Sequence, residues 1–455
     1  MPVSAARSAA FDVLLRVERE DSYASELLHS RAHQSLSTID HGLATELVMG
    51  VLRWRSRLDE EISTASSQPL AKLDVEILIA LRLAVYQFHW LDRVPKRAAL
   101  NESVDLVKRA RKRSAAPFVN AVLRKLSIAP GIPHHMVDEL GTAGTLARSL
   151  SHPQWLVERW VAEYGIEAAR QICEHDQTVP VVAIRLRNSS IEAELHEEGI
   201  GLGAGSFLSS ARRVTAGDVT KTKAFRSGQI VIQDEASQLV AALIGTAALK
   251  DGARVLDCCA APGGKTLAIA DQNPAASIRA VELHPHRARL LEKMLHTGEP
   301  HSSGRIEVLV ADASTLEPAV PFDHVLADVP CSGTGTLAHN PEIKWRLTVD
   351  DLAELQQRQL AILRSAMAQV AVGGRLIYST CSLEKEECED VVERALEDNT
   401  SFRLLNCGDE LKELRAKGVL VWSDIDSTAR GPYLRTIPGI HPCDGFFAAI
   451  LERIS

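Results

Sequence analysis

The chain has 455 residues, of which 45% are hydrophobic and 24% are charged, and its formal net charge is −8. These values are typical of a globular protein with a core and exclude a disordered or collagen-like chain. No run of about 18 apolar residues predicts a transmembrane helix, and the charged N-terminus is unlike a signal peptide. The eight cysteines follow no regular framework, which indicates reduced thiols and a cytoplasmic protein.

The first segment, residues 1–130, is predicted to be all-helical. Apolar residues recur at helical spacing in three stretches. These are Leu43, Leu47, Val51, Leu58 and Ile62; Ile77, Leu81, Ala84, Val85 and Phe88; and Phe118, Val119, Val122, Leu123 and Leu126. Residues 93–125 carry ten basic and only two acidic side chains. This imbalance indicates a surface for a polyanion such as RNA, with a merely solvated helical face as the alternative.

The second segment, residues 131–245, has a mixed pattern. Residues 151–165 predict a helix, residues 181–190 a strand, and residues 229–245 a strand that enters a helix. The glycine-rich run at 199–206 predicts a loop. Basic residues of this segment, Arg185 and Arg187 among them, either help to hold nucleic acid or are ordinary surface charges.

The third segment, residues 246–455, alternates short β-branched runs with helical patterns. The predicted strands are 253–260, 277–283, 305–312, 322–330 and 374–381. Such alternation predicts an α/β fold with a parallel, doubly wound sheet. Ligands of these sheets bind at the carboxyl ends of the strands, so the residues at those ends are the candidate site.

Four acidic residues stand at predicted strand ends: Asp257, Glu282, Asp312 and Asp328. The loop after Asp257 contains a Gly-Gly pair, which allows close approach of a ligand to the backbone. The loop is neither GxxxxGK[ST] nor GxGxxG. We therefore expect a cofactor with a nucleoside and an amino-acid end. An acid at the second strand end is suited to bind ribose hydroxyls.

Two cysteines, Cys331 and Cys381, follow the fourth and fifth predicted strands. Neighbouring strand ends of one sheet would bring both thiols over the same site. A buried, inert cysteine is the alternative for either one. No cysteine or histidine spacing predicts a metal site.

These motifs together resemble a known family. DCCAAPGGKT, VELHPHR, DVPCSGTGT, NPEIKWR, YSTCS and DGFFAAIL follow the order and spacing of the RNA 5-methylcytosine methyltransferases. The runs VPKRAALNESVDLVKRARK and FVNAVLRK resemble the RNA-binding antitermination factor NusB. The whole chain thus resembles the RsmB/Sun (Fmu) family. One departure is His339-Asn340, where the family often has a basic residue, and this puts one RNA contact in doubt.

The resemblance implies three parts: a NusB-like helical domain (1–130), a small mixed α/β region (131–245) and a Rossmann-like class I methyltransferase domain (246–455). The implied activity is S-adenosylmethionine-dependent methylation of C5 of a 16S rRNA cytosine that is unpaired or flipped out. We expect a cytoplasmic monomer that needs no metal, because the sulfonium supplies the electrophile.

The resemblance also implies site residues. Cys381 would attack C6 of the base, Cys331 would assist product release, Asp328 would face the cytosine edge, and Lys265 would contact the substrate. Spacing alone does not assign the thiols, since DNA cytosine methyltransferases attack through the cysteine of a Pro-Cys motif. The implied cofactor-binding residues are Cys259, Ala260, Ala261, Pro262, Gly263, Gly264, Lys265, Glu282, Asp312 and Asp328.

Two other functions compete with this interpretation. A noncovalent methyltransferase would not need two cysteines at strand ends, and an RNA-binding module with an inactive methyltransferase fold would not need to keep them. Trp345, in NPEIKWR, is either a stacking platform for a base or a core residue.

Overall fold

The computed structural model describes residues 3–20, 22–129, 141–245, 249–297, 305–317, 320–397 and 399–455. It divides into two compact units. The first is Met1–Val179 with Leu337–Arg346, and the second is Pro180–Thr336 with Leu347–Ser455. The domain boundaries predicted at 130 and 246 fall on residues outside the described ranges. No helix in those ranges has the length and apolar character needed to cross a membrane.

The first unit is helical throughout its described residues. Its main helices are α1 (Ala5–Glu20), α2 (Ala24–Leu28), α3 (Thr38–Arg53), α4 (Arg55–Ala65), α5 (Val75–Trp90), α6 (Lys96–Arg109), α7 (Ala116–Ile128), α8 (Ala143–Ser149), α9 (Gln154–Tyr164) and α10 (Ile166–Asp176). The three predicted apolar stripes lie on α3 with α4, on α5 and on α7, and most of their residues are buried in one core. The helical prediction for this part of the chain is confirmed.

A segment from far along the chain completes the helical unit. It contains a one-turn helix, Ile343–Arg346. Lys344 Nζ donates a hydrogen bond to the carbonyl oxygen of Arg53 at 3.0 Å, and Trp345 Nε1 donates to that of Leu52 at 2.6 Å. Arg346 donates to the carbonyl oxygen of Val17. These carbonyls lie in the last turns of α3 and α1, where no further helical N–H is available to them.

The second unit contains a small sheet and a large one. The small sheet consists of β1 (Ala183–Leu186), β2 (Gly201–Ala204), β3 (Ala211–Ala216) and β4 (Ile230–Ile232), in the order β2-β3-β1-β4. Its pairings are antiparallel, and α11 (Ile191–Glu197) and α12 (Lys223–Arg226) lie between its strands in the chain. The prediction of a loop over 199–206 was wrong in part, because Gly201–Ala204 pair with β3.

The large sheet has nine strands. They are β5 (Arg254–Asp257), β6 (Ser277–Glu282), β7 (Ile306–Val310), β8 (Phe322–Asp328), β9 (Val370–Thr380), β10 (Phe402–Leu405), β11 (Ala429–Arg430), β12 (Tyr433–Arg435) and β13 (Phe447–Arg453). The order is β11-β12-β13-β9-β8-β5-β6-β7, and β10 also pairs with β13. The helices of this part are α13 (Glu235–Ile244), α14 (Gly264–Gln272), α15 (Pro285–His296), α16 (Val349–Ala368), α17 (Glu389–Glu397) and α18 (Cys407–Ala416).

The five predicted strands β5 to β9 are all present and pair in parallel. Their apolar side chains are buried in two clusters, one containing Val255 and Ile377 and the other Leu256 and Leu376. Neighbouring residues of a strand thus enter different clusters, because side chains alternate between sheet faces. The antiparallel extension β10 to β13 was not predicted. It continues the sheet from β9 through Phe447–Arg453.

Candidate active site

The candidate site lies at a reversal in strand order. From β5 the chain proceeds outward through β6 and β7, and then returns to place β8 on the other side of β5. A crevice forms at the carboxyl ends of the strands where the order reverses. A cavity of about 290 Å³ lies there, and its lining includes Gln233, Asp257, Lys265, Asp328, Cys381 and Phe446. Cys259, Ala260, Ala261, Pro262 and Gly264 also line it.

The loop after β5 is shaped by Gly263. This residue has φ +117°, and a Cβ atom on it would lie 2.8 Å from Cδ1 of Leu291. Only glycine fits both the conformation and the space. At the start of the loop, Asp257 is buried and accepts a hydrogen bond from Thr266 Oγ1 at 2.7 Å. Burial raises the pKa of Asp257 to about 6.

Two predicted catalytic residues form an ion pair in the cavity. Lys265 Nζ, on α14, lies 2.8 Å from Oδ2 of Asp328, at the end of β8. Ser379 Oγ donates to the other carboxylate oxygen of Asp328 at 2.7 Å. Burial alone would lower the pKa of Lys265, but the charge and hydrogen bond of Asp328, together with Cys381 and Asp257, outweigh it and the pKa is raised. Lys265 therefore stays positively charged at neutral pH.

The side chains of the two predicted cysteines are in contact. Sγ of Cys331 lies 3.2 Å from Sγ of Cys381, and both residues are free thiols. The backbone N–H of Gly335 donates to the carbonyl oxygen of Cys381 at 2.9 Å, which ties the two loops together. The contact with Cys381 and burial both raise the pKa of the Cys331 thiol well above its usual range. Cys331 is thus a protonated thiol at neutral pH and can donate to the Cys381 sulfur.

Glu282 and Asp312 lie at the ends of the next two strands but are not among the lining residues of this cavity. Glu282 is buried and accepts a hydrogen bond from the backbone N–H of His284 at 2.9 Å. Asp312 is exposed, and Oδ1 accepts from the backbone N–H and hydroxyl of Ser314. These hydrogen bonds lower the pKa of Asp312. Both carboxylates border the edge of the sheet where β6 and β7 end.

Sequence reasoning did not single out Phe446 or Glu387. Phe446 is 6% exposed, and its ring centroid lies 5.0 Å from Lys265 Nζ in the cavity wall. It stands one residue before β13, so the unpredicted antiparallel strand brings it to the site. Its only signal was its place in DGFFAAIL. Glu387 is fully buried behind the two cysteine loops, and nothing in its local sequence marks it.

The structure also places Trp345, Arg185 and Arg187. Trp345 lies in the helical unit, is half-buried, and donates to the carbonyl oxygen of Leu52, so both interpretations of this residue stay predictions. Arg185 and Arg187 do not offer a free nucleic-acid contact, because both pair with Asp271 of α14 at 2.7 Å. This pairing attaches the small sheet to α14.

The basic run of the helical unit is largely exposed, but its members differ. Arg109 pairs with Asp12, Lys108 with Asp105, and Lys112 with Asp74. Among the described residues, no acidic partner within ion-pair distance is found for another group of exposed arginines. These are Arg93, Arg97, Arg111, Arg113 and Arg124. Their charges are available to a polyanion.

Comparison with known proteins gives three family matches. Residues 245–452 match the family described as 16S rRNA methyltransferase RsmB/F. Residues 4–127 match the NusB family, and residues 152–217 match the RsmF/B-like ferredoxin-like domain. A probable ribosomal RNA small subunit methyltransferase B from Bacillus subtilis is 31% identical over 469 residues, covering 100% of each chain.

Solved structures agree on the fold. The crystal structure of PH0851 has a TM-score of 0.78 at 23% identity, covering 98% of this chain and 97% of that one. A methyltransferase homolog protein from Pyrococcus horikoshii has a TM-score of 0.55 at 25% identity, covering 68% of this chain and 98% of its own. The predicted combination of a NusB-like helical part and a Rossmann-like methyltransferase part is confirmed.

Proposed function

Because the chain belongs to the RsmB/F family of 16S rRNA methyltransferases, we propose that it methylates C5 of a cytosine in that RNA through a covalent bond from Cys381 to C6. The observation that carries this proposal is the approach of Cys331 and Cys381 to 3.2 Å. Cys381 also lines the cavity that contains the Lys265–Asp328 ion pair. A noncovalent methyltransferase has no use for such a thiol pair.

S-adenosylmethionine is the cofactor of this methyltransferase, and the described residues fit it. Ala260, Ala261, Pro262 and Gly264 of the glycine loop line the cavity, so the backbone there can approach a ligand closely. Gln233 is 8% exposed and lines the cavity, and its Oε1 has no hydrogen-bond partner among the described residues. A buried acceptor of this kind suits an ammonium donor such as the amino-acid end of the cofactor. When bound, the cofactor supplies an electrophilic methyl group.

We assign the cofactor contacts by position. Residues 259–265 and Gln233 would hold the amino-acid end. Glu282 would accept from the ribose hydroxyls, and Asp312 would lie near the adenine, since these acids end the second and third strands of the parallel set. Asp328 would border both cofactor and base.

The covalent step uses the thiolate of Cys381. C5 of cytosine is a weak nucleophile, and a bond from Sγ to C6 moves the electron pair of the C5–C6 double bond to C5. After C5 has gained the methyl group, a base removes its proton. The C5–C6 double bond then re-forms, and the C6–S bond breaks to return the thiolate. Cys331, 3.2 Å from that sulfur, is placed to assist this release.

The remaining cavity residues hold the base. The Lys265 ammonium can donate to the ring and stabilise the negative charge that builds up on it during thiolate addition. The Asp328 carboxylate can accept from the exocyclic amino group of cytosine. The Phe446 ring provides an apolar face for stacking. A paired cytosine cannot present C6 to a thiol, so the target is unpaired or flipped out.

We also propose a separate role for each of the three parts of the chain. Residues 1–130 would bind RNA through the exposed arginines of the basic run, residues 131–245 would link and help to position it, and residues 246–455 would carry out the chemistry. Binding through phosphates is sequence-independent, so the choice of cytosine would depend on the catalytic part.

The experiment is a methylation assay with labelled S-adenosylmethionine and 16S rRNA, followed by mapping of the modified nucleotide. We expect 5-methylcytosine at one position, and none with Cys381→Ala. Methylation at another atom would refute the C5 assignment. Undiminished methylation by Cys381→Ala would favour a noncovalent methyltransferase, and no methylation at all would favour an RNA-binding module with an inactive fold.

A further inference from the structure

We propose that Glu387 is a positioning residue that holds the two cysteine loops at their working separation. The effect of Glu387 on catalysis rests on the proposed covalent mechanism. The contacts of its side chain do not depend on any substrate. Glu387 ends a one-turn 3₁₀ helix, Lys385–Glu387, six residues beyond Cys381. Its side chain touches neither thiol by hydrogen bond in the described structure, so it acts through their neighbours.

The carboxylate receives hydrogen bonds from both loops. Oε1 accepts from the backbone N–H of Ser332 at 2.8 Å, and Oε2 accepts from the hydroxyl of the same residue. Oε2 also accepts from the hydroxyl of Ser382 at 2.5 Å. Ser332 directly follows Cys331, and Ser382 directly follows Cys381. One side chain thus bridges two segments that are 50 residues apart in the chain.

A third element anchors the carboxylate itself. Gln359, on α16, donates from Nε2 to Oε1 of Glu387 at 2.8 Å. The four donors together match the acceptor capacity of an ionised carboxylate. Glu387 is 0% exposed, and a carboxylate so buried is retained at low cost only when its oxygens are fully hydrogen-bonded. The arrangement is therefore rigid as well as specific.

The two loops also contact each other directly. Ser332 Oγ lies 3.1 Å from Ser382 Oγ, and the backbone N–H of Leu383 donates to Thr334 Oγ1 at 2.9 Å. These contacts link the loops, but neither of them gives Ser332 and Ser382 a common hydrogen-bond acceptor. The Glu387 carboxylate supplies it, and its loss would leave buried donors unpaired. Without the carboxylate, we expect the two loops to move apart so that these donors can find other acceptors.

Small displacements matter for the chemistry. A shift of about 1 Å in a reacting group can reduce the rate on the order of 100-fold. Attack by Cys381 and release assisted by Cys331 both depend on where these loops hold the sulfurs. Glu387 would therefore affect the rates of adduct formation and breakdown, while RNA affinity and cofactor affinity depend on other residues.

The test measures the thiol separation without RNA or cofactor. Phenylarsine oxide condenses with two neighbouring thiols to form two As–S bonds and one water molecule, so tight binding requires both sulfurs close together. The full-length protein should bind it, and the Cys331→Ala/Cys381→Ala variant, which retains the adjacent Cys258 and Cys259, should lose that binding. Glu387→Gln should bind at least tenfold more weakly, whereas Glu386→Gln, one residue away, should bind like the unmodified protein.

A purely structural role would give a different result. If Glu387→Gln lowers the melting temperature but keeps full arsenical affinity, the positioning role is overturned. Should Glu387→Gln fail to fold, Ser332→Ala and Ser382→Ala remove one donor each and leave the carboxylate in place. Each should weaken arsenical binding by a smaller factor, and full affinity in both would overturn the proposal.

A second measurement connects Glu387 to catalysis. In a Cys331→Ala background, which should accumulate the protein–RNA adduct, adding Glu387→Gln should slow adduct formation at least tenfold with an unchanged KM for RNA. An unchanged rate of adduct formation would contradict a role of Glu387 in catalysis. If no adduct forms even with Glu387 intact, the covalent mechanism fails, while the arsenical result still decides whether Glu387 holds the thiols together.

Discussion

Lys265 Nζ and Asp328 Oδ2 lie 2.8 Å apart and join the first helix after β5 to the end of β8. Lys265 Nζ also lies over the ring of Phe446, in the wall of the cavity that Cys381 lines. Under the proposed mechanism, the two charges of the ion pair would hold the pyrimidine ring during thiolate addition. The pairing also helps to keep Lys265 charged, because burial by itself favours the neutral amine.

Asp328→Asn should change the pH dependence of methylation. Asp328 makes the largest contribution that raises the pKa of Lys265, and burial opposes it. Without that charge we expect the pKa to fall. Since Lys265 must be protonated to stabilise the ring, activity is lost as pH rises through its pKa. The alkaline limb of kcat should thus move to lower pH, with kcat reduced on the order of 100-fold at neutral pH. The other charged or ionisable groups acting on Lys265 are Cys381 and Asp257. An unshifted alkaline limb would show that Lys265 does not act as a cation.

The two cysteine variants should fail at different steps. Cys381→Ala should abolish methylation and form no covalent RNA complex. Cys331→Ala should attack normally but release product slowly, so that a protein–RNA adduct survives denaturing electrophoresis. The double variant should lose the adduct, which would exclude trapping by another thiol. The opposite pattern would reverse the two roles toward the arrangement of the DNA enzymes.

Glu282→Ala should weaken binding of S-adenosylmethionine. The lost hydrogen bond to a charged acceptor is worth roughly 1.5–3 kcal/mol, or about one to two decades in Kd. Isothermal titration calorimetry measures it directly. Glu307→Ala, which removes an exposed carboxylate paired with Arg279 on the neighbouring strand, is the matched control and should leave Kd unchanged. If both variants bind S-adenosylmethionine equally well, Glu282 only stabilises the turn that it forms with His284.

Neutralising Arg97, Arg113 and Arg124 should weaken RNA binding and flatten its salt dependence. Each phosphate contact that is lost lowers the slope of log K against log salt by about 0.7 to 0.9. These arginines are exposed, so folding should be little affected. A control with the ion-paired Arg16, Arg19 and Arg170 neutralised removes the same charge. If both triple variants give the same slope, the basic run is only a solvated face.

Much of the secondary structure follows from local pattern. The apolar stripes of α3, α5 and α7 and the β-branched runs of β5 to β9 are properties of neighbouring residues, because each element must bury one side. The polar residues that end these strands, including Asp257, Glu282 and Asp328, could therefore be predicted as one edge of one sheet. The proximity of Cys331 and Cys381 follows from the same rule, since β8 and β9 are adjacent parallel strands.

The remaining features depend on contacts between distant segments, which no local pattern contains. Phe446 reaches the cavity only because β13 pairs antiparallel to β9. Arg185 and Arg187 are attached to Asp271 instead of being free for RNA, and residues 337–346 complete the helical unit. Glu387 is the clearest case. Nothing in its local sequence marks it, and packing buries its carboxylate among donors from three elements. The sequence alone determined the kinds of chemistry that this chain can carry out, and the tertiary structure decided which side chains are close enough to share in it.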